Sequence, residues 1–355
     1  MSKEQSEKKY YQIYNEIKKK ILCGEYKYGE KLPSKRVMAD RSGYSVITVE
    51  AAYAILADEG YISSRERSGY YVSLSAPLPQ RSINEEIPYL SELSSERPPD
   101  FEYSVWLKTL RKVLSDDPDK IFSKPENNGC AALRNAIADY LKRSRDMFAE
   151  PERIIIGSGA EQLYETVVKI LGREKIYGIE SPSYDKIKAV YIGAEAKICE
   201  MELGEDGISS ESLERERIDV LHVTPFHSYP SGITASLSKR YEYLKWAENA
   251  HGYIVEDDFY SEFFTSGRPP STLYSLDAHD SVIYINTFSK SLSSSMRIGY
   301  MILPRSLMGE YERKLGRFSC SVPTLEQYAL AEFISSGAFE RHLNRVRRKI
   351  KRNEF

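Results

Sequence analysis

The stretch of sequence that says most about the fold is Asn286-Thr287-Phe288-Ser289-Lys290-Ser291-Leu292-Ser293-Ser294-Ser295-Met296-Arg297-Ile298-Gly299-Tyr300. The apolar run over residues 282–286 predicts a strand, so Lys290 follows the end of that strand in a Ser- and Thr-rich loop. A lysine there supplies an amine for a Schiff base, and Arg297 supplies a guanidinium for a phosphate. The pair favours one site for both groups, although Lys290 considered alone fits a surface lysine better.

A second apolar strand, predicted over residues 253–256, ends in carboxylates. Ligands of open α/β sheets bind at the carboxyl ends of the strands. An acid at Asp257 can keep a pyridine nitrogen protonated, which makes the ring an electron sink, and Tyr260 can hydrogen-bond a ring hydroxyl. Spacing to Tyr260 favours Asp257 over Asp258, which remains the alternative.

Two further segments suit a phosphorylated aromatic ring. The segment Ile155-Ile156-Gly157-Ser158-Gly159-Ala160-Glu161 predicts a strand, a tight Gly turn and a helix N-terminus, whose N–H groups can bind a phosphate. As a dinucleotide-binding motif it is weak, because Gln162 replaces the third Gly. Tyr184 follows the next predicted strand and is suited to stack on a flat heteroaromatic ring.

Short β-branched runs alternate with amphipathic helices over residues 101–355. Such alternation predicts an α/β fold in which a mostly parallel sheet lies between helices. The predicted strands cover residues 153–156, 175–179, 196–199, 219–223, 253–256, 282–286 and 300–303.

Residues 1–73 have a different pattern. Helical spacing and cap residues predict helices over 10–22, 35–42 and 45–59, followed by two short strands at 61–64 and 70–73. Three helices and a hairpin in this order are typical of a winged helix-turn-helix domain. Residues 74–100 are rich in Ser, Pro and Glu, which predicts a linker between the two domains.

Charge is distributed unevenly between these parts. The whole chain has 50 Lys and Arg against 52 Asp and Glu, whereas residues 1–73 have 13 against 10, a net charge of +3. We therefore expect DNA to be bound locally, by the starts of the second and third helices and by the wing. Ordinary solvated charges on a small domain are the alternative interpretation. The predicted contact residues are Ser34, Lys35 and Arg36, then Ser45, Ile47 and Thr48, then Arg65 and Arg67.

These residues lie in a module that resembles a GntR-type winged helix. The family usually has an Arg after the Ser that begins the recognition helix, and here that residue is Val46, which implies a different operator preference. The resemblance rests on residues 21–26, 29–34, 48–49, 52–53, 56, 59–61 and 68–72.

The large domain resembles the fold-type I, aspartate aminotransferase-like proteins, and its fusion to a GntR-type module resembles the MocR-type transcriptional regulators. The resemblance implies pyridoxal 5'-phosphate as the cofactor, bound as an aldimine of Lys290. It also implies Asp257 as the partner of the pyridine nitrogen, Tyr260 as the partner of the ring hydroxyl and Tyr184 as the stacking aromatic. The implied phosphate contacts are Thr287, Arg297, Gly159, Ala160 and Glu161, the last three mainly through the backbone.

Tyr229 departs from the aminotransferase pattern, because those enzymes usually have Asn before the Pro at this point, and MocR-type proteins often have an aromatic residue. We therefore expect a homodimeric transcriptional regulator that senses the cofactor or its adduct with an amino-compound effector. The alternatives are a pyridoxal-phosphate-dependent aminotransferase with a DNA-binding extension, or a cofactor-free domain that serves only dimerisation.

Three further expectations concern what the sequence lacks. Aminotransferase-like proteins continue into a small C-terminal subdomain with an Arg that holds the substrate carboxylate, and this sequence ends at Phe355. Either the protein is naturally short or the sequence is truncated, and in both cases we expect little turnover by the residues given. No apolar run approaches the roughly 18 residues that span a bilayer, and the first residues lack a signal-peptide core, so a cytoplasmic location without a membrane partner is expected. The four Cys are far apart, and no metal site is predicted.

Overall fold

The structure is a computed structural model, and it describes residues 3–65, 68–73, 101–116, 118–264 and 271–352. The chain divides into two units, residues 1–94 and 95–355. The predicted linker, residues 74–100, lies outside the described residues. Within the described residues, no helix is both long enough and apolar enough to cross a membrane.

The described part of the N-terminal unit has three helices and a hairpin. Ile17, Tyr53 and Leu56 are among the side chains that form its core, as their helical spacing predicts. Gly43 ends the second helix in the left-handed conformation, with φ of 72°, which Gly adopts without steric cost. The elements are α1 (Lys3–Leu22), α2 (Lys35–Ser42), α3 (Val46–Asp58), β1 (Ile62–Arg65) and β2 (Gly69–Val72), and the two strands are antiparallel.

An eight-stranded sheet forms the centre of the large unit. Its order is β3-β10-β9-β8-β7-β4-β5-β6, with parallel pairing from β9 through to β5 and antiparallel pairing at β10 and β6. All seven predicted strands form, and only the two-residue β6 was not predicted. The bounds are β3 (Ile154–Gly157), β4 (Ile176–Ser181), β5 (Lys197–Gly204), β6 (Gly207–Ile208), β7 (Val220–Val223), β8 (Tyr253–Asp257), β9 (Val282–Thr287) and β10 (Gly299–Ile302).

Helices cover both faces of this sheet. One apolar cluster contains Leu133, Tyr284 and Phe339, and another contains Leu163, Val255 and Met301. The predicted α/β class, with a mostly parallel sheet between helices, is confirmed. The helices are α4 (Tyr103–Asp116), α5 (Pro118–Phe122), α6 (Ala131–Arg145), α7 (Ala160–Leu171), α8 (Asp185–Gly193), α9 (Ser210–Arg215), α10 (Leu237–Ala250), α11 (Leu273–Leu276), α12 (Arg305–Leu315), α13 (Thr324–Ser335) and α14 (Ala338–Lys351).

The parallel strands place the segments that follow them at one edge of the sheet. β4, β7, β8 and β9 run in the same direction, so the residues after their last positions meet at that edge. Tyr184 follows β4, Tyr229 follows β7, Tyr260 follows β8 and Lys290 follows β9. The residues that the sequence predicts for a cofactor therefore share one edge of the fold.

Candidate cofactor site and DNA-binding residues

Lys290 lies beside the segment that follows the neighbouring strand. Its Nζ is 4.7 Å from the centre of the Phe259 ring and 4.9 Å from the centre of the Tyr260 ring. Strands β8 and β9 are paired in the sheet, which is why the two segments meet. The amine predicted for a Schiff base and the tyrosine predicted for a ring hydroxyl are thus adjacent.

Asp257, the last residue of β8, is a buried carboxylate of which one oxygen accepts a hydrogen bond. The Tyr164 hydroxyl donates a hydrogen bond of 2.5 Å to its Oδ2. Its Oδ1 is buried and has no hydrogen-bond partner in the described parts of the chain. A buried acceptor without a donor costs free energy, so this atom is suited to receive a proton donor from a ligand.

Asp258 has a different environment, although it is the next residue. It accepts hydrogen bonds from the Tyr284 hydroxyl at 2.8 Å and from Ser261 Oγ at 2.7 Å, and Arg145 lies 3.1 Å away as an ion-pair partner. Successive residues of an extended chain point to opposite faces of a sheet, which separates the two carboxylates. Asp258 therefore acts as part of a buried polar cluster on the other face.

An aromatic network around Asp257 was not predicted from the sequence. The Tyr191 hydroxyl lies 2.8 Å from His222 Nδ1, and His222 Nε2 lies 4.0 Å from Asp257 Oδ2. Burial, followed by the nearby Asp257 charge, raises the pKa of Tyr164 well above its ordinary value, so its hydroxyl stays a proton donor. The sequence offered one signal for this network, a His within the otherwise apolar strand β7.

The start of α7 is the segment that the sequence predicts to bind a phosphate. Gly159 precedes the helix with φ of 93°, and no side chain caps the helix start within the described structure. This φ is strained for residues other than Gly, and a Cβ at Gly159 would lie 3.2 Å from the Arg297 guanidinium, so the position favours Gly. The open N–H groups at Ala160 and the next residues therefore lie beside a cation.

The Glu161 side chain makes two contacts at the start of α7 that the sequence did not predict. Its carboxylate accepts hydrogen bonds from Arg297 at 3.0 Å and from Lys186 at 3.1 Å. Burial acts to raise the pKa of Glu161, but the Lys186 hydrogen bond and the Arg297 charge outweigh it, and the pKa is lowered. Arg297 thus has an acidic partner on the first turn of α7.

The remaining predicted residues line the same edge of the sheet. The Tyr184 and Tyr229 rings are both exposed and meet edge to face at 6.1 Å. Tyr260 stacks on His227, with ring centres 4.5 Å apart. Thr287 is the last residue of β9 and is opposite Gly299 in the ladder with β10.

In the N-terminal unit, both predicted serines cap helices. Ser34 Oγ accepts from the Val37 N–H at 3.3 Å at the start of α2, and Ser45 Oγ accepts from the Thr48 N–H at 3.2 Å at the start of α3. Capping of this kind typically contributes about 1 kcal/mol to stability. These side chains therefore define where the two helices begin.

The other predicted DNA contacts have varied surroundings. Lys35 forms an ion pair of 2.5 Å with Glu50 of α3, whereas Arg36 and Ile47 are exposed. The Arg65 guanidinium lies 4.4 Å from the centre of the Tyr71 ring on the adjacent strand. Arg67 lies outside the described residues.

This architecture defines a class of protein: a winged helix-turn-helix unit joined to an aminotransferase-like α/β unit. Residues 9–72 match the family model "Bacterial regulatory proteins, gntR family", and residues 90–354 match "Aminotransferase class I and II". The chain therefore belongs to the GntR-type transcriptional regulators with an aminotransferase class I and II domain, the MocR type. The predicted family resemblance is confirmed.

Curated relatives of this kind match almost the whole chain. The HTH-type transcriptional regulator YdeL of Bacillus subtilis is 32% identical over 96% of this chain and 76% of its own length. The probable rhizopine catabolism regulatory protein MocR of Rhizobium meliloti is 31% identical over 95% and 74%. The pyridoxine biosynthesis transcriptional regulator PdxR of Corynebacterium glutamicum is 28% identical over 95% and 75%. Their names favour a regulator over the alternative of an aminotransferase.

Solved structures with the same fold are aminotransferases. A kynurenine aminotransferase of Pyrococcus horikoshii, in complex with PMP, has a TM-score of 0.65 and 24% identity over 71% of this chain. An α-aminoadipate aminotransferase of Thermus thermophilus, complexed with N-(5'-phosphopyridoxyl)-L-leucine, has a TM-score of 0.62 and 26% identity over 70%. This chain spans 64% of the length of each of these two proteins.

Proposed function

We propose that this chain is a DNA-binding transcriptional regulator whose large domain, residues 101–355, binds pyridoxal 5'-phosphate and an amino-compound effector. The observation that carries the proposal is the buried Oδ1 of Asp257, which lacks a donor among the described residues. A protonated pyridine nitrogen is a donor of the required kind, and the negative carboxylate favours its charge. The same chain has a GntR-type domain in residues 1–73, with residues 74–100 as the linker.

The cofactor supplies an aldehyde and a ring that withdraws electrons when it is bound. In the proposed site, Lys290 would hold that aldehyde through its amine, with the release of one water. The Glu161 backbone N–H and the Arg297 guanidinium, which adjoin each other, would hold the phosphate, and the Tyr260 hydroxyl would bind the ring hydroxyl. The other proposed contacts are Tyr184 and Tyr229 at the ring, and Thr287, Gly159 and Ala160 at the phosphate.

An amino-compound effector would compete with Lys290 for the same aldehyde carbon. Lys290 lies beside the Phe259 and Tyr260 rings, so its release would change the charge and position of a side chain there. We propose that this change alters operator affinity in a homodimer, in which two winged helices contact two half-sites. A ligand can shift this equilibrium only by its differential affinity for the two states.

Two measurements on the 355-residue chain test the proposal. Addition of pyridoxal 5'-phosphate should produce the visible absorption band of an imine, which Lys290→Ala should abolish and the exposed-surface control Lys245→Ala should retain. Operator binding at fixed salt should then shift when the cofactor or an amino donor is added. Superimposable binding curves would contradict the coupling, and repeated turnover with an amino donor and a keto acid would favour the aminotransferase alternative.

A further inference from the structure

The exposed start of α3 is apolar. Ile47, the second residue of this helix, is 79% exposed, and Val46 is 41% exposed. The hydroxyl groups of Ser45 and Thr48 lie 2.8 Å apart, and Ser45 also caps the helix. The first turn therefore presents two aliphatic side chains to solvent, beside two hydroxyls that already hydrogen-bond to each other.

The rest of α3 offers few groups that could hydrogen-bond to bases. The helix sequence contains no Lys, Arg, Asn or Gln, the residues that make bidentate contacts with guanine or adenine. Val49, Tyr53 and Leu56 are buried in the core of the unit. Glu50, the acidic residue nearest the helix start, is held by Lys35 at 2.5 Å.

Only one apolar group is displayed by the bases in the major groove, the 5-methyl group of thymine. We propose that Ile47 packs against the 5-methyl group of a thymine in each operator half-site, and that this contact determines base preference there. Residues 1–73 have a net charge of +3 and Arg36 is exposed at the start of α2, so phosphate contacts can hold the apolar turn against the groove. The inference rests on the proposed DNA-binding function.

The experiment removes a single methyl group from the DNA. An operator is first selected from random duplexes with the full chain, at fixed salt and a fixed concentration of pyridoxal 5'-phosphate. Each thymine is then replaced, one at a time, by deoxyuridine, which keeps the base pair and lacks the 5-methyl group. At one position in each half-site we expect affinity to fall about three- to fivefold, as for the loss of one buried methyl group.

Two variants connect that loss to Ile47. In Ile47→Ala, the thymine and deoxyuridine operators should bind equally at the sensitive position, because the packing partner is gone. Val37→Ala removes a half-exposed aliphatic side chain from α2 and should keep the wild-type preference for thymine. Ile47 is largely outside the core, so its truncation should leave the unfolding transition unchanged.

The outcomes separate this inference from the function on which it rests. Operator binding with an equal thymine-to-deoxyuridine ratio in wild type and Ile47→Ala would overturn the methyl contact alone. Insensitivity of the wild-type protein to every thymine replacement would do the same. Failure to select any operator sequence would overturn the proposed regulator and the contact together.

Discussion

The Tyr164 hydroxyl donates to Oδ2 of Asp257 at 2.5 Å, and this hydrogen bond holds the carboxylate so that Oδ1 is left without a donor among the described residues. Tyr164 is in the second turn of α7, whose first turn lies beside Arg297. One helix therefore positions the Asp257 carboxylate and also carries the N–H groups for which we propose phosphate binding. If both contacts form, this helix fixes the distance between them.

Asp257→Asn should weaken pyridoxal 5'-phosphate binding by about 10- to 100-fold, because a neutral amide cannot stabilise the charge of a protonated pyridine. The Asn oxygen can still accept from Tyr164, so the unfolding midpoint should change little. Titration of the imine absorption band measures the affinity. Unchanged cofactor affinity in this variant would argue against Asp257 as the partner of the ring nitrogen.

Asp258→Asn should instead destabilise the large unit, by about 3 to 5 kcal/mol, because buried Arg145 loses its ion-pair partner. Urea-induced unfolding measures the effect. The control is Glu165→Gln, which breaks an exposed ion pair with Lys169 and should cost less than about 1 kcal/mol. A similar, small cost for both variants would show that the buried pair contributes little.

Glu161→Gln should tighten cofactor binding by up to about fivefold, because it removes a carboxylate that would compete with the phosphate for Arg297. Glu165→Gln, one turn further along α7, is the matched control and should leave affinity unchanged. Pyridoxal without phosphate supplies the second comparison. An equal gain for pyridoxal would show that the effect does not involve the phosphate.

Glu180 should make the large unit less stable as pH rises. Burial, opposed by the Ser228 and Thr224 hydrogen bonds, raises the pKa of Glu180 from 4.5 to about 7. The folded state thus keeps a proton that the unfolded chain releases, and its stabilisation is complete below about pH 4.5 and is lost as pH rises through 7. The loss is about 3 kcal/mol.

Urea unfolding between pH 5 and 8 tests this dependence on Glu180. Glu180→Gln should reduce the loss of unfolding free energy as pH rises, whereas the exposed control Glu214→Gln should show the wild-type loss. Burial also raises the pKa of Glu256 to about 8 and of Glu262 to about 7, so a residual slope is expected. Identical slopes in wild type and Glu180→Gln would rule out its contribution.

Arg36→Gln should reduce the salt dependence of operator binding. Each phosphate contact contributes about 0.9 to the slope of log K against log salt concentration, so losing one contact should lower the slope by about one. Arg173→Gln, at an exposed position in the large unit, is the control and should leave the slope unchanged. A loss of affinity without a change in slope would place Arg36 away from the phosphates.

Local sequence patterns predicted most of the fold. Helices were predicted over residues 35–42 and 45–59, and in the structure Ser34 and Ser45 cap their starts and Gly43 caps the end of the first. The apolar runs predicted the central strands, since both of their faces are buried. β5 extends to Gly204, beyond the predicted end at residue 199, because its alternating exposed residues interrupt the apolar run.

The sequence by itself determined the domain order, the strands and the spacing that places Lys290 and Arg297 after β9, because these depend on neighbouring residues. Only the tertiary structure decided which of Asp257 and Asp258 has a carboxylate oxygen without a hydrogen-bond donor among the described residues. It also decided that Glu161 pairs with Arg297, which is 136 residues away. Whether a buried carboxylate oxygen has a hydrogen-bond donor depends on residues that are distant in sequence and close in space. Tyr164, which donates to Asp257, lies 93 residues from it in the chain.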